Sequence, residues 1–320
     1  RLGLAMAIGP FLIAGSIKKV SAEPSELEKK IKRMGLVVGA TEEEKKEAID
    51  RINFYREKAF RSLVEMGLMK EEIVKAKVDE KMSKDCTSHA LYLMVNGGFK
   101  SYLEAHTEDP TKVGYSEEGK KAAERAIPFR ITSPSKLVDQ CMATLYHRHS
   151  LIDPKIPSYG IGKVTNKNGT NGFSVIGKSE NHSGNPTFAV VYPAQNQFEI
   201  PMSFTDKGED PNPILEDKDG VAGFPITATF YAMPDIKNAK AVLKDAKGKE
   251  IKCWFSSPEK PANQVFDHNY DTVALIPDDP LKQGQSYTVS MSADLTDYFD
   301  KDKKTSWKQE WTFTTVSDKK

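Results

Sequence analysis

The chain has 320 residues, which exceeds one ordinary domain and predicts about two. Apolar residues make up 38% and charged residues 28%, a balance typical of globular proteins and unlike that of collagen-like, coiled-coil or wholly disordered chains. The chain has 46 Lys and Arg and 45 Asp and Glu, so its net charge is only +1. Because nucleic-acid binding normally requires a clear basic excess, we expect no nucleic-acid partner. The three cysteines show no CxxC spacing, which leaves zinc ribbons and c-type haem attachment without support.

The N-terminus carries an uncharged stretch, residues 2–17, between Arg1 and the pair Lys18-Lys19. This stretch is short for a membrane-spanning helix, which needs roughly 17 to 25 residues. The small residues of Val20-Ser21-Ala22 then complete the pattern of a secretory signal. We predict that residues 1–22 are a signal peptide, with an uncleaved anchor or a buried helix as the alternative. The mature protein is then secreted, periplasmic or at the cell surface, with no stable membrane span.

Residues 23–44 are charged and predict an N-terminal extension that leads into a helical region. Thr41 followed by Glu44 forms a capping box at a helix start, and apolar residues then recur at helical spacing as far as Leu63. Further helices are predicted over 84–95, around 117–127 and from Ser133 onward.

After Pro154 the pattern changes to short strands, predicted over 158–165, 172–177 and 187–192. Helices followed by an antiparallel meander favour an α+β domain, which we place at 45–195. Residues 196–222 have the composition of a linker. Beyond them, alternating apolar residues and regularly spaced turns predict an all-β immunoglobulin-like sandwich over 223–318.

Four blocks of the first domain carry a recognisable pattern. They are an opening helix at 52–59, a second block at 78–90, a short His segment at 105–109, and the block 146–154 followed by Tyr159-Gly160-Ile161-Gly162. Together they resemble the CAP superfamily (cysteine-rich secretory proteins, antigen 5, pathogenesis-related 1) in its bacterial form. The resemblance implies an α-β-α sandwich with a central cleft.

The second domain carries a weaker but ordered pattern, at 224–230, 275–277, 284–289 and 311–315. These segments resemble the SbsA-type bacterial Ig-like module. The resemblance implies a sandwich domain of the kind that occurs in cell envelopes.

The CAP resemblance also implies a cleft in which two histidines and two acidic residues hold a divalent metal. Carried over by position, the histidines are His106 and His147, and a pair of neutral imidazoles suits zinc or a similar metal. The family's usual glutamate is replaced near Lys120, so Glu118 and Asp139 are the candidate acidic partners. A lysine there weakens cation binding. The alternative is that both histidines are hydrogen-bonded structural residues.

Other candidates are weaker. His89 lies on an inward helical stripe, so we predict that it is a core histidine, and we predict that Arg148 is a packing residue. Cys86 and Cys141 lie on inward faces of predicted helices, where a disulfide and two separate buried thiols are equal alternatives. The sequence has no GxSxG or nucleotide-binding glycine motif, and no cysteine has a base partner nearby in sequence, so nucleophilic catalysis is not supported; Cys253 is predicted to be buried and inert.

We therefore predict an exported CAP-domain protein that is not catalytic and that binds a ligand or metal, or contacts a surface partner, outside the cell. One alternative is a zinc-dependent extracellular hydrolase that uses His106 and His147. The other is a structural component of the cell envelope. The identity of the extracellular ligand or envelope partner and the oligomeric state stay open.

Overall fold

The computed structural model describes residues 24–179, 188–205, 209, 212–214, 221–231, 234–262 and 271–317. The predicted signal peptide, 1–22, lies outside these residues. Within the described ranges, every helix is too short or too polar to span a bilayer.

Helices dominate the first domain. They are α1 (Glu26–Met34), α2 (Glu42–Glu65), α3 (Glu80–Val95), α4 (Tyr102–Ala105), α5 (Glu117–Ala123), α6 (Pro134–Ala143) and α7 (His147–Leu151), with a 3-10 turn at Glu71–Ile73. The predicted capping box starts α2: the Thr41 hydroxyl accepts from the Glu44 N–H at 3.2 Å, and the Thr41 N–H donates to the Glu44 carboxylate at 3.0 Å.

The first domain also contains one mainly antiparallel sheet. Its strands are β1 (Leu36–Val38), β2 (Lys77–Val78), β3 (Ala126–Phe129), β4 (Ser158–Asn166) and β5 (Gly172–Lys178). The order is β1-β4-β5-β3, and β2 pairs parallel with the start of β4. Between β4 and β5 a short Asn-rich turn makes the hairpin that the sequence predicts.

Helices cover both faces of this sheet. On one face α3 lies so close that a Cβ added at Gly162 would stand 2.5 Å from the backbone nitrogen of Thr87. On the other face α2 and α6 bury Ile161 and Ile176 in a separate apolar cluster. The result is a three-layer α-β-α arrangement, which agrees with the predicted α+β class.

The two cysteines of the first domain lie on opposite sides of that sheet. Cys86 of α3 contacts the strand at Gly177, whereas Cys141 of α6 packs in the cluster on the other face. A disulfide requires Cα atoms within about 7 Å, and here a whole sheet intervenes. Both are free thiols, so the disulfide alternative is wrong. Burial raises the pKa of Cys86 to about 12 and also raises the pKa of Cys141.

The second domain is built from strands. They are β6 (Val190–Tyr192), β7 (Gln197–Ile200), β8 (Ser203–Thr205), β9 (Val221–Gly223), β10 (Ile226–Thr229), β11 (Asp235–Asp245), β12 (Glu250–Ile251), β13 (Cys253–Ser256), β14 (Thr272–Pro277), β15 (Ser286–Thr296) and β16 (Lys304–Thr315). Two sheets form, in the orders β13-β14-β10-β6 and β12-β11-β15-β16-β7, while β8 pairs with β9. Taken in chain order, this is the strand distribution of an immunoglobulin-like sandwich.

The sandwich begins earlier than the sequence analysis predicts. The strand that we placed at the end of the first domain, β6, pairs antiparallel with β10, where Tyr192 lies opposite Thr227. Within the predicted linker, β7 pairs parallel with β16, and β8 pairs with β9. The boundary predicted at 195 therefore falls inside the Ig-like unit. Local periodicity identifies a strand but not its partner, because strand pairing is non-local.

Candidate functional site

His106 stands at the C-terminal end of α4. Its Nδ1 lies 3.0 Å from the carbonyl oxygen of Ala123, and its ring packs on Tyr102 with the centroids 4.4 Å apart. Because a carbonyl only accepts, Nδ1 carries the hydrogen of this contact.

His147 is the first residue of α7 and is held by different partners. Its Nδ1 lies 3.2 Å from Oε1 of Glu209 and 3.3 Å from the hydroxyl of Thr144. Its ring meets the edge of Phe129 at 5.2 Å, at the end of β3. The contacts of His147 thus belong to the end of α6, to β3 and to the segment between β8 and β9 of the second domain.

Glu209 is the residue that sequence reasoning missed. Its carboxylate is fully buried and accepts the backbone N–H groups of Leu145, Tyr146 and His147, at 2.8, 2.6 and 3.2 Å. A buried carboxylate requires such donors, and hydrogen bonds to an ionised acceptor are the strong ones. In the sequence, Glu209 is one acidic residue in a linker-like segment, and no local signal marks it.

The predicted acidic partners lie elsewhere. Asp139 of α6 accepts from Arg51 Nε at 2.5 Å and from the Tyr55 hydroxyl at 2.8 Å, which ties α6 to α2. Glu118 lies exposed in the first turn of α5. Across the ranges that the structure describes, no three His, Cys, Asp or Glu side chains are grouped to hold a metal. The set His106, His147, Glu118 and Asp139 stays a prediction.

His89 is a core histidine, in line with the sequence analysis. Its Nδ1 lies 2.9 Å from Glu108 Oε1 and its Nε2 lies 2.9 Å from the carbonyl oxygen of Ala105, and both side chains of the pair are fully buried. Since Ala105 directly precedes His106, this pair fixes the position of His106 against α3. The partner Glu108 was not predicted.

Asn53 and Arg56, the polar residues of the opening-helix block, are also structural. Asn53 exchanges two hydrogen bonds with the backbone of Ala76, at 2.7 and 3.0 Å. Arg56 is buried and donates to the carbonyl oxygens of Val74 and Asp153, at 3.0 and 2.8 Å. These bonds hold the segment after α2 and the residues after α7 against α2.

The side chain of Arg148 contacts the second domain. Its side chain is fully buried, and its Nη1 donates to the carbonyl oxygen of Pro225 at 2.7 Å. The guanidinium lies between the rings of Tyr192 and Phe224, at 5.0 and 4.9 Å from their centroids. Burial lowers the pKa of Arg148 to about 10.

His149 makes the next contacts in the same direction. Its Nδ1 lies 3.1 Å from the hydroxyl of Thr229, and its carbonyl oxygen accepts from the Tyr231 hydroxyl at 2.9 Å. Burial lowers the pKa of His149 to about 3, so the ring is neutral at physiological pH. Both partners belong to the Ig-like unit.

Apolar contacts complete this region. Leu145 and Tyr146 are buried in one cluster with residues of the Ig-like unit, namely Phe204, Ile214, Ala222, Ala274 and Ile276. We call residues 145–149 the joint. The joint overlaps the block 146–154 of the family resemblance, and its side chains connect the first domain to the second.

A groove of about 650 Å³ lies apart from these residues, on the outer side of α2. Residues of α2 between Asp50 and Glu65 form one wall, and the segment Glu71–Lys75 forms the other. Neither predicted metal histidine lines this groove.

The comparisons with known proteins support the Ig-like prediction for the second domain. Residues 216–315 match the family model described as a bacterial Ig-like domain. This part of the chain is similar to bacterial Ig-like domains. The match confirms the Ig-like prediction, and the CAP resemblance of the first domain stays a prediction.

Solved structures are similar only at a low level. CopC from Methylosinus trichosporium OB3b is 13% identical, with 42% of this chain and 97% of CopC covered at a TM-score of 0.25. PcoC, a methionine-rich copper resistance protein from Escherichia coli, is 14% identical, with 41% and 99% covered at a TM-score of 0.25. These likenesses carry no argument about this chain. No curated protein matches it.

Proposed function

We propose that this chain is an exported bacterial protein that acts outside the cell by binding a ligand or a surface partner, without catalysis. Its first domain is a CAP domain, and its Ig-like domain serves attachment or assembly at the envelope. The observation that carries the proposal is the joint. There, residues of the block 146–154, which we call the His-Arg block, make structural contacts rather than forming a reactive group.

Three side chains of that block support a non-catalytic role. The imidazole of His147 contacts Glu209, the guanidinium of Arg148 is enclosed by two rings, and His149 meets Thr229. A general base or a metal ligand needs a nitrogen that faces substrate or metal. In the joint these groups instead connect two domains, which suits a protein whose task is to present surfaces in a set orientation.

The three-layer arrangement supports the CAP assignment. The opening-helix block lies on α2, the second block on α3, and the His-Arg block on α7, directly before β4. Two helices on one face and one on the other enclose the sheet, as in the α-β-α sandwich that the resemblance implies. His106 is the described histidine of this domain to which the resemblance assigns a ligand or metal contact.

Export is the part of the proposal that rests on the N-terminal pattern. Its test is expression of the full chain in a bacterial host, followed by fractionation and N-terminal sequencing. We expect the protein in the periplasm, the envelope or the medium, with a new N-terminus near Glu23. Retention in the cytoplasm with an intact N-terminus would overturn it.

Catalysis is tested on the purified chain with peptide and ester substrates. We expect no turnover above that of a heat-unfolded sample. Robust turnover that His147→Ala abolishes would replace the binding proposal by the hydrolase alternative. Recovery of the protein in an ordered surface layer would favour the structural envelope role instead.

A further inference from the structure

Two long strands of the Ig-like domain have outer edges that the described residues leave largely uncovered. On β11 a register irregularity between Lys237 and Lys240 breaks the edge, and the N–H of Asn238 donates to Glu259. Irregularities of this kind protect an edge from further pairing. The other strand, β16, pairs with β15 without a break from Lys304 to Thr314, and its register shift lies at the β7 end, between Phe313 and Thr315.

The outer edge of β16 is covered only at its end. There the N–H of Asn196 donates to the carbonyl oxygen of Thr312 at 2.7 Å, so the even-numbered residues of β16 direct their backbone groups away from β15. Four residues before Thr312 share this direction, and their outward N–H and C=O groups have no partner in the described ranges: Lys304, Ser306, Lys308 and Glu310.

We propose that β16 pairs antiparallel with β16 of a second copy of this chain, about a two-fold axis beside Trp307. In this register Lys304 lies opposite Glu310 of the second copy, and Ser306 lies opposite Lys308 of the second copy. Both of these pairs, and their symmetry mates, join residues whose backbone groups point outward, and they alternate with pairs whose backbone groups bond to β15, as an antiparallel ladder requires. The two-fold axis generates the Lys–Glu pair twice, once at each end.

The charges along β16 select this register over its neighbours. A two-fold axis at Ser306 places Lys304 opposite Lys308, and an axis at Lys308 places that lysine opposite itself. Like charges directly opposite are destabilising. An axis at Gln309 needs the backbone groups of Thr312, which already bond to β7. The axis at Trp307 avoids all three conflicts.

Trp307 supplies the apolar part of the contact. It is half-buried on the inner side of β16, and its ring meets Phe230 edge to face at 4.9 Å. Residues at a two-fold axis between antiparallel strands have Cβ atoms about 4.5 to 5.5 Å apart, so the two Trp307 rings cover one another. Addition of a strand to a free edge is an established mode of association.

Charge reversal tests the pairing. We expect the purified chain to sediment at twice the mass of one chain. Lys304→Glu and Glu310→Lys each place two like-charge pairs in the dimer, and each should weaken dimerisation about tenfold or more. Lys249→Glu, which changes an exposed turn of the same domain, should leave the dimer unchanged.

Mixing the two variants separates loss of the interface from loss of folding. In a heterodimer of Lys304→Glu with Glu310→Lys, every end pair is again a Glu opposite a Lys, so a one-to-one mixture should recover the dimer mass. The double variant K304E/E310K should dimerise by itself. Failure of both to associate would overturn the register.

A backbone variant tests the ladder. Lys308→Pro removes an N–H that points outward, and proline is tolerated at a strand edge where that N–H faces solvent. We expect a monomer whose circular dichroism matches that of the unchanged chain. A wild-type chain that stays monomeric at high concentration, or a dimer insensitive to all these changes, would refute the proposal.

Discussion

The carboxylate of Glu209 accepts the backbone N–H of Tyr146 at 2.6 Å, although the two residues lie 63 positions apart in the chain. Through this contact a residue between β8 and β9 of the second domain closes the start of α7. The joint therefore receives contacts from three parts of the chain: the first domain, the segment between β8 and β9, and the sandwich strands.

Replacement of Glu209 by alanine should lower the free energy of unfolding by about 2 to 4 kcal/mol, because three backbone N–H groups, two of them buried, lose their carboxylate acceptor. Urea unfolding of the purified chain measures this change. Glu250→Ala is the matched control, since Glu250 is exposed on β12, and it should change stability by less than about 0.5 kcal/mol. Equal effects of the two variants would contradict the role of Glu209 in the joint.

Arg148 allows packing to be separated from charge. Arg148→Ala removes the group between Tyr192 and Phe224 and should cost about 3 kcal/mol. Arg148→Met keeps an apolar body and should cost much less, because Nε and Nη2 of Arg148 have no hydrogen-bond partner within the described ranges. Thermal unfolding by calorimetry checks the order. A methionine variant as unstable as the alanine variant would show that the charge matters more.

We expect the free energy of unfolding to decrease as the pH is lowered, because His149 is buried in its neutral form. Its pKa is about 3 in the folded chain, and about 6.5 in an unfolded one, since burial disfavours the imidazolium. The unfolded state therefore binds more protons between these values, so the stabilisation is full above about pH 6.5 and is lost toward pH 3. Between pH 7 and 4.5 the loss is about 2.5 kcal/mol.

The control for this pH effect is His149→Asn, which keeps a polar atom toward Thr229 but does not titrate in this range. Urea midpoints at pH 7 and pH 4.5 should differ more for the unchanged chain than for the variant. A variant with the same pH dependence as the unchanged chain would assign the effect to other groups.

Zinc loading tests the predicted metal site. We expect less than one zinc per chain after loading and desalting, because His147 contacts Glu209 and Asp139 contacts Arg51. Elemental analysis measures the metal content. Retention of one zinc per chain that both His106→Ala and His147→Ala abolish would support the metal site and the hydrolase alternative.

Much of the fold follows from local patterns. The capping box at Thr41 and the helix start at Ser133 depend on residues three or four positions apart, and the structure confirms both. The β4 and β5 hairpin likewise follows from alternation and an Asn-rich turn. The placement of β6 and β7 was wrong because their partners, β10 and β16, are distant in sequence.

The candidate site divides in the same way. His89 lies on the inward stripe of a helix, and because helical periodicity decides burial, the sequence alone predicts that this histidine is buried. Only the tertiary structure shows that Glu108 pairs with it, that Glu209 closes α7, and that Arg148 contacts the second domain. Periodicity determines which face of an element is buried, but a polar side chain inside the protein finds its partner through chain packing over long sequence distances, and no local pattern records that choice.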